Sequence, residues 1–284
     1  MDCVMIILNY KDSERAISLA KRCEAFSSID KIVIVDNDSK DGSYEKIENI
    51  VNEKIELLKA DKNRGFSAGN NIGAQYAIDT YNPRYVFFAN TDTIFEEDKI
   101  LRCEEALEKD SSLGLVSMRM MGPDNKEQIS YYEYPTFWNY ISDMTYIGNK
   151  INYRNKRQEN ININKDIQYV DIVRGSFMFF LAEALKNAGY FDENTFLYCE
   201  ETIISKRLNK SGYRVGLITD LFYIHDHIEN SDNTNITALK RLLESRYYVC
   251  KKYMKINFIQ RRMMKILMKY TVLRKQLIQK IREK

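Results

Sequence analysis

The chain has only three prolines and eleven glycines in 284 residues, too few for long unstructured linkers. Its five cysteines stand at positions 3, 23, 103, 199 and 250. They are scattered, odd in number and never spaced as Cys-x-x-Cys. That argues against a zinc site or a disulfide framework, and for free thiols in a reducing compartment. No apolar run reaches the roughly 18 residues of a spanning helix. The opening stretch "MDCVMIILNYKDSE" lacks a basic leader, and its apolar part is too short for a signal peptide. A cytoplasmic protein is expected. Histidine is nearly absent, with His225 and His227 the only two.

What is present is a core-forming composition, 44% hydrophobic and 12% aromatic, with a net charge of +3 that hides a split. Residues 240–284 carry 15 Lys and Arg against two Glu, whereas the rest carries 28 basic against 38 acidic residues. An acidic body with a basic tail is an organisational feature. In the first third, strands and helices alternate. Strands are expected at 4–8, 31–37, 55–60 and 85–90, with helices at 12–27, 42–54 and 67–81 between them. This is the pattern of βαβ units in a largely parallel sheet. Further on, 95–110 reads as helix and 113–120 as extended. The Asn-rich stretch 122–168 shows no period and reads as a long loop. Residues 169–189 read as a strand feeding a helix, 200–212 as a helix stopped by Gly212, and 213–226 as extended. From Thr234 onward the pattern is helical to the end.

Ligands of open parallel sheets sit beyond the carboxyl ends of the strands. The polar residues there are Asn9 and Tyr10, then Asp36, Asn37 and Asp38, then Asp61 to Arg64, then Asn90 to Thr93. Acids, a base and an acid at successive strand ends suit a base or ribose, a phosphate and a metal. Each stretch alone is also ordinary turn and capping chemistry. Gly65, Gly69 and Gly73 in "DKNRGFSAGNNIGA" fall near one helix face. Close packing explains them, and Arg64 beside them adds a phosphate-facing reading. The segment has neither the GxGxxG spacing nor the GK[ST] ending of a P-loop, which disfavours dinucleotide binding.

Five segments occur in order: "IVIVDNDSKDGS", "NRGFSAGNNIG", "ANTDT", "VRGSFMFF" and "GYFDENTFLYCEE". Together they resemble the large inverting family of nucleotide-sugar glycosyltransferases with the GT-A fold (family 2), and in particular its rhamnosyltransferase-like members. The resemblance covers residues 2 to 231. It implies an α/β GT-A fold, Rossmann-like and nucleotide-binding, with a mostly parallel central sheet flanked by helices. Residues 1–233 would be the catalytic domain and 234–284 a helical C-terminal appendage.

The resemblance also implies roles. Asp36 matches the aspartate that accepts the N3–H of a uracil or thymine ring, so the donor would be a UDP- or dTDP-sugar. Asn9, Tyr10, Asp38, Arg64 and Gly69 would lie near the nucleotide. Asn90-Thr91-Asp92 matches the family's DxD motif, with Asp92 on a divalent cation, Mn²⁺ or Mg²⁺, against the diphosphate. Asn90 replaces the first acid of that motif, so a second ligand is needed. "YIHDHIENS" (223–231) supplies it, His225 by spacing and His227 as the alternative; a surface or capping role suits the pair equally well. "FLYCEETIISKR" places Glu201 where the family carries the aspartate base that takes the acceptor hydroxyl's proton, with Glu200 as the alternative. Acids in a first helical turn are also what the helix dipole favours. Arg174 and Gly175 match the segment lining donor and acceptor, whereas Phe177, Phe179 and Phe180 suit packing equally.

The acceptor implied is a glycan or lipid-linked glycan of bacterial surface polysaccharide assembly. The basic tail lies outside the resemblance. Met263, Ile266, Tyr270, Leu273, Leu277 and Ile281 form an apolar stripe flanked by Lys and Arg. It suits docking on the catalytic domain, a homodimer through the C-terminal helices, or peripheral contact with an anionic membrane. Nucleic acid is not an expected partner, since no recognition motif accompanies the charge. Two rival functions are a sugar nucleotidyltransferase and a catalytically inactive binding or scaffold protein. The first should have a Gly-rich N-terminal loop, which "ILNYKDSERA" lacks; the second is favoured by the Asn90 and Glu201 departures.

Overall fold

The computed structural model describes residues 1–145, 161–226 and 235–282. The chain begins with β1 (Cys3–Asn9), α1 (Ser13–Glu24), β2 (Lys31–Asp36), α2 (Ser43–Glu48), β3 (Ile55–Lys59), α3 (Phe66–Tyr81) and β4 (Tyr85–Ala89). It continues through β5 (Thr93–Ile94), α4 (Glu97–Lys109), β6 (Leu113–Met121), β7 (Glu127–Gln128), β8 (Tyr131–Tyr132) and α5 (Phe137–Met144). After these come β9 (Ile167–Val170), β10 (Ile172–Val173), β11 (Phe177–Leu181), α6 (Ala182–Asn187), α7 (Glu200–Lys210) and β12 (Arg214–His225). Two long helices follow, α8 (Ile236–Lys252) and α9 (Phe258–Arg282).

The main sheet runs β3-β2-β1-β4-β11-β6-β12-β5, with β7 beside β6 and β9 beside β12. Strands β3, β2, β1 and β4 are mutually parallel. β11 inserts antiparallel between β4 and β6, and β12 runs parallel to β6. The central strands are apolar without a break because both faces are covered. Along β1, Cys3, Met5 and Ile7 enter one core cluster and Val4 and Ile6 the other. β4 divides in the same way, with Phe87 on one face and Phe88 on the other. Phe177 and Phe179 are fully buried and pack against Phe87, Phe177 tilted and Phe179 stacked, so they are core residues. The first face receives α1, α2 and α4 through Leu19, Ile47 and Ile100. The second receives α3, α6 and α7 through Ala74, Leu185 and Ile204.

Sequence and structure differ in three places. α2 ends at Glu48 rather than near residue 54, because the Asn52 side chain accepts from the backbone N–H of Lys54 and Ile55 and closes a turn. The stretch read as a loop from 122 contains β7, β8 and the eight-residue helix α5. α5 is too short to display a period, but Thr136 and Asn139 cap it reciprocally. The C-terminal helix is interrupted around Lys255, whose φ is 53°, before Asn257 and Gln260 bond reciprocally to start α9. The boundary expected at residue 233, and His227, lie outside the described residues. All five cysteines are free and buried. Among the described residues no helix is long and apolar enough to cross a membrane.

A third apolar cluster joins α5, α7, α8 and α9 through Tyr140, Ile203, Leu243 and Met264. Beside it, buried Asp192 accepts from Tyr248 Oη (2.9 Å), Tyr253 Oη (2.5 Å) and Lys252 Nζ (3.0 Å) and pairs with Arg207 Nη2 (3.0 Å). Burial alone would raise this carboxyl, but bonds from Asn194, Tyr253 and Lys252 hold it well below the ordinary carboxylate range. The ends of α7 and α8 are thereby tied to the loop that leads into α7.

Candidate active site

Parallel strands of one sheet end on one edge, so the loops after β1, β2, β3 and β4 are neighbours. Their side chains bond to one another. Asn9 Nδ2 donates to Asp36 Oδ1 at 2.7 Å. Ser39 donates to Asp36 through its hydroxyl (2.6 Å, to Oδ1) and its backbone N–H (3.2 Å, to Oδ2). Asp36 is 1% exposed, held as a fixed acceptor at the strand end. Asn37 Nδ2 reaches across to Asn63 Oδ1 and to the Gly65 carbonyl, both at 3.2 Å. Thr91 Oγ1 donates to Asp12 Oδ2 at 2.6 Å and links the loops after β4 and β1.

The remaining residues of this edge vary in placement. Tyr10 is 48% exposed. Asp38 adopts a left-handed conformation and pairs with Lys40 at 3.1 Å. Arg64 pairs with Glu193 at 3.2 Å. Gly69 is turned inward: a Cβ there would lie 2.4 Å from Leu8 Cδ1. Its visible contribution is therefore close packing of α3 on β1.

Because β11 is antiparallel to β4, its start meets the end of β4, with Phe177 opposite Ala89. The Asn90 N–H donates to the Ser176 carbonyl at 2.9 Å. On the other side, His225 at the end of β12 is paired with Thr93 of β5. His225 Nε2 lies 3.3 Å from Asp92 Oδ1, and the Asp226 N–H donates to the Asp92 carbonyl at 2.8 Å. Among the described residues no three His, Cys, Asp or Glu side chains converge as a metal cage. A hard carboxylate oxygen from the turn between β4 and β5 and an imidazole nitrogen from the end of β12 are donors of the kind that suit Mg²⁺ or Mn²⁺, whose other positions diphosphate oxygens and water would fill.

The carboxylate pair opens α7. Tyr198 and Cys199, just before it, both have positive φ, 75° and 68°. Two successive non-glycine residues in this region cost about 1–3 kcal/mol each, and such strain persists where the surroundings enforce it. Here the enforcement is visible. The Phe66 N–H donates to the Phe196 carbonyl at 2.9 Å, and Gly65 leaves no room for a side chain, since a Cβ would lie 2.0 Å from that same oxygen. Asn71 clamps Phe191 twice, accepting from its N–H and donating to its carbonyl, both at 3.0 Å.

Glu200 is buried, and its Oε2 has no hydrogen-bond partner among the described residues. Burial raises its carboxyl, and the charge of Glu201 raises it further. Burial also raises Glu201, but its own backbone N–H, Arg174 and the Tyr132 hydroxyl oppose the shift. Arg174 donates to Tyr132 Oη at 2.5 Å and to the Ile129 carbonyl at 2.9 Å, and lies over the Tyr132 ring. A side chain at Gly175 would meet open space. Tyr223 bridges the two halves: its hydroxyl meets Ser176 Oγ at 2.7 Å, within electrostatic reach of both Asp92 and Arg174.

Sequence reasoning did not single out Asp12, Ser39, Asn71, Tyr132, Asp192 or Tyr223. For Asn71 a signal existed, since two adjacent asparagines inside a helix are poor helix formers and demand a reason. For Tyr132 there was none, as its strand partner Ile172 and its bonding partner Arg174 lie 40 and 42 positions away.

Comparisons with known proteins bear on the family and the fold. The family model for glycosyl transferase family 2 matches residues 8–186. A low-salt glycan biosynthesis hexosyltransferase, Agl10 of Haloferax volcanii, is 26% identical over 229 residues, covering 79% of this chain and 67% of that protein. The rhamnosyltransferase WbbL of Escherichia coli K12 is 26% identical over 171 residues, covering 57% of this chain and 60% of that one. Among solved structures, the mannosyltransferase PcManGT of Pyrobaculum calidifontis, in complex with GDP-Man and Mn²⁺, shares the fold. It superposes with a TM-score of 0.57 at 15% identity, over 90% of this chain and 64% of that chain. The chain thus spans about two thirds or less of the length of each of these proteins. The GT-A architecture and a family match over more than half of its length lead to one conclusion: the chain belongs to glycosyl transferase family 2.

Proposed function

We propose that the protein transfers a hexosyl-type sugar from a UDP- or dTDP-sugar to a hydroxyl of a glycan acceptor, with inversion at the anomeric carbon. The observation that supports this reading most is Asp36 held as a fixed acceptor at the end of β2; the Asp92–His225 pair and Glu201 at the start of α7, whose carboxyl Arg174 lowers, add to it. Asp36, immobilised by Asn9 and Ser39, accepts the N3–H of a uracil or thymine ring. A guanine ring offers a different edge and is disfavoured. Tyr10, Asp38 and Arg64 flank the nucleotide, and Asn90 and Thr91 set the loop at the diphosphate.

Asp92 and His225 would hold the divalent cation, which when bound neutralises charge on the departing diphosphate. Glu201 accepts the proton of the acceptor hydroxyl as that oxygen attacks the anomeric carbon. Its raised affinity for a proton suits this task, because a base works best when its pKa lies near the working pH. Arg174 and the Tyr132 hydroxyl oppose that rise. Rhamnose is the first donor sugar to test, since one relative bears that name.

The test is a thermal-shift panel of UDP-, dTDP- and GDP-sugars with and without Mn²⁺. UDP- or dTDP-linked compounds should stabilise the protein and GDP-linked ones should not, and Asp36→Ala should remove the response. An equal response to all three, or none, overturns the Asp36 assignment. Mn²⁺-dependent donor hydrolysis that disappears in Asp92→Ala supports an enzyme, and no turnover under any condition supports the scaffold reading.

A further inference from the structure

Helix α9 has two apolar faces. The inward one carries Met264 and Thr271, 0% and 6% exposed, and Thr271 Oγ1 donates to the Met144 carbonyl of α5 at 3.0 Å. The stripe that the sequence singled out points the other way except for Met263, which packs against the inner cluster, and Ile259 lies in line with the rest. Ile259, Ile266, Tyr270, Leu273, Leu277 and Ile281 are 50–76% exposed. At 100° per residue they lie within one quarter of the helix circumference. Six large apolar side chains in line on one exposed helix face exceed the scattered surface hydrophobics of ordinary proteins.

Alongside, about 60–120° around the helix from the centre of that stripe and also exposed, runs a second stripe of Arg262, Lys265, Lys269 and Lys280. The whole helix carries eight Lys and Arg and no Asp or Glu. That charge pattern selects the occupant. A second copy of α9 laid on the apolar stripe would bring lysines against lysines with no acid on either helix to pair them. An anionic bilayer surface complements both stripes at once, with acyl chains for the apolar residues and phosphate headgroups for the basic ones.

We propose that the outward face of α9 is a docking surface for an anionic membrane, with the helix lying in the plane of the interface. Met264 of α9 and Ile203 of α7 belong to one buried cluster. The helix that opens with Glu200 and Glu201 therefore shares an apolar cluster with the docking helix, together with α5 and α8. On the transfer reading above, this carries the proposed base to an acceptor held in the bilayer; the docking itself does not depend on that reading.

The full chain is sedimented with vesicles of phosphatidylcholine alone and of an equal mixture of phosphatidylcholine and phosphatidylglycerol. Partition into the mixed vesicles only, weakened by added salt, is expected. Leu273→Gln with Leu277→Gln should lower that partition at least about tenfold. Lys265→Glu with Lys269→Glu should do the same, since each lost positive charge is worth about fivefold. Both pairs are exposed, so the melting temperature should not change. No partition into either vesicle overturns the proposal. So does unchanged partition of both variants, or a concentration-dependent dimer that the leucine variant abolishes without any lipid binding. The vesicle result is independent of nucleotide-sugar turnover, so failure of either reading is recognisable by itself.

Discussion

Replacing Glu201 and Glu200 by glutamine, one at a time, separates the two carboxylates by consequence. Glutamine keeps the shape of either side chain and removes only its charge and its capacity to take a proton. At Glu201, where Arg174 and the Tyr132 hydroxyl oppose the effect of burial, loss of the base should lower kcat about 10²–10⁴-fold. That is about 2.7–5.4 kcal/mol of barrier, with donor affinity unchanged. At Glu200, whose Oε2 has no partner among the described residues, glutamine removes a charge that burial and Glu201 both disfavour. Its folded carboxyl binds a proton more tightly than the unfolded one. Stability therefore falls as pH rises from the ordinary carboxylate range through the raised value. Glu200→Gln should remove that slope. Its urea midpoint should match the wild type near about pH 5 and exceed it, by a difference on the order of 1 kcal/mol, near about pH 8. Single-turnover release of the nucleoside diphosphate reads the first effect and urea melts the second. Glu201→Gln with kcat within about threefold of wild type, and Glu200→Gln without activity, would refute the assignment of roles.

Three further perturbations follow from the same contacts. Arg174→Met removes a group that lowers the Glu201 carboxyl, so the acid limb of the kcat–pH profile should move to higher pH; an unmoved limb contradicts the coupling. Asp192→Asn leaves Arg207 and Lys252 without their buried counter-charge and should cost about 3–5 kcal/mol in urea unfolding, the range for breaking a buried ion pair; a loss below about 1 kcal/mol refers the hub to surface electrostatics. Gly65→Ala places a Cβ 2.0 Å from the Phe196 carbonyl oxygen at a φ of +100° and should destabilise by roughly 1–3 kcal/mol, with a larger proportional loss of kcat than of donor binding, because the displaced loop leads into Glu200.

The sheet was legible because its strands are buried on both faces and read as unbroken apolar runs, while α1, α3 and α4 between and after them keep a helical period. The small elements were not. β7, β8 and β10 are two residues long, and no periodicity survives at that length. The residues after the strands could be grouped from the sequence, since parallel strands must end together. Which side chains meet there could not, because Thr91 reaches Asp12 and Asn71 reaches Phe191 across 79 and 120 positions. The two faces of α9 show a related limit. Hydrophobic spacing identified an apolar stripe, but the face that packs, around Met264 and Thr271, is chosen by the surface of α5 and α8 offered to it.

The central claim is that one donor diphosphate sits between Asp36, the Asp92–His225 pair and Glu201. Crystals grown with UDP and Mn²⁺ test it directly through the anomalous difference map. An Mn²⁺ peak in contact with Asp92 and His225, with the uracil N3–H on Asp36 and Glu201 facing the diphosphate from the opposite wall, is the predicted result. UDP bound away from Asp36, or Mn²⁺ held by residues other than Asp92, would contradict it.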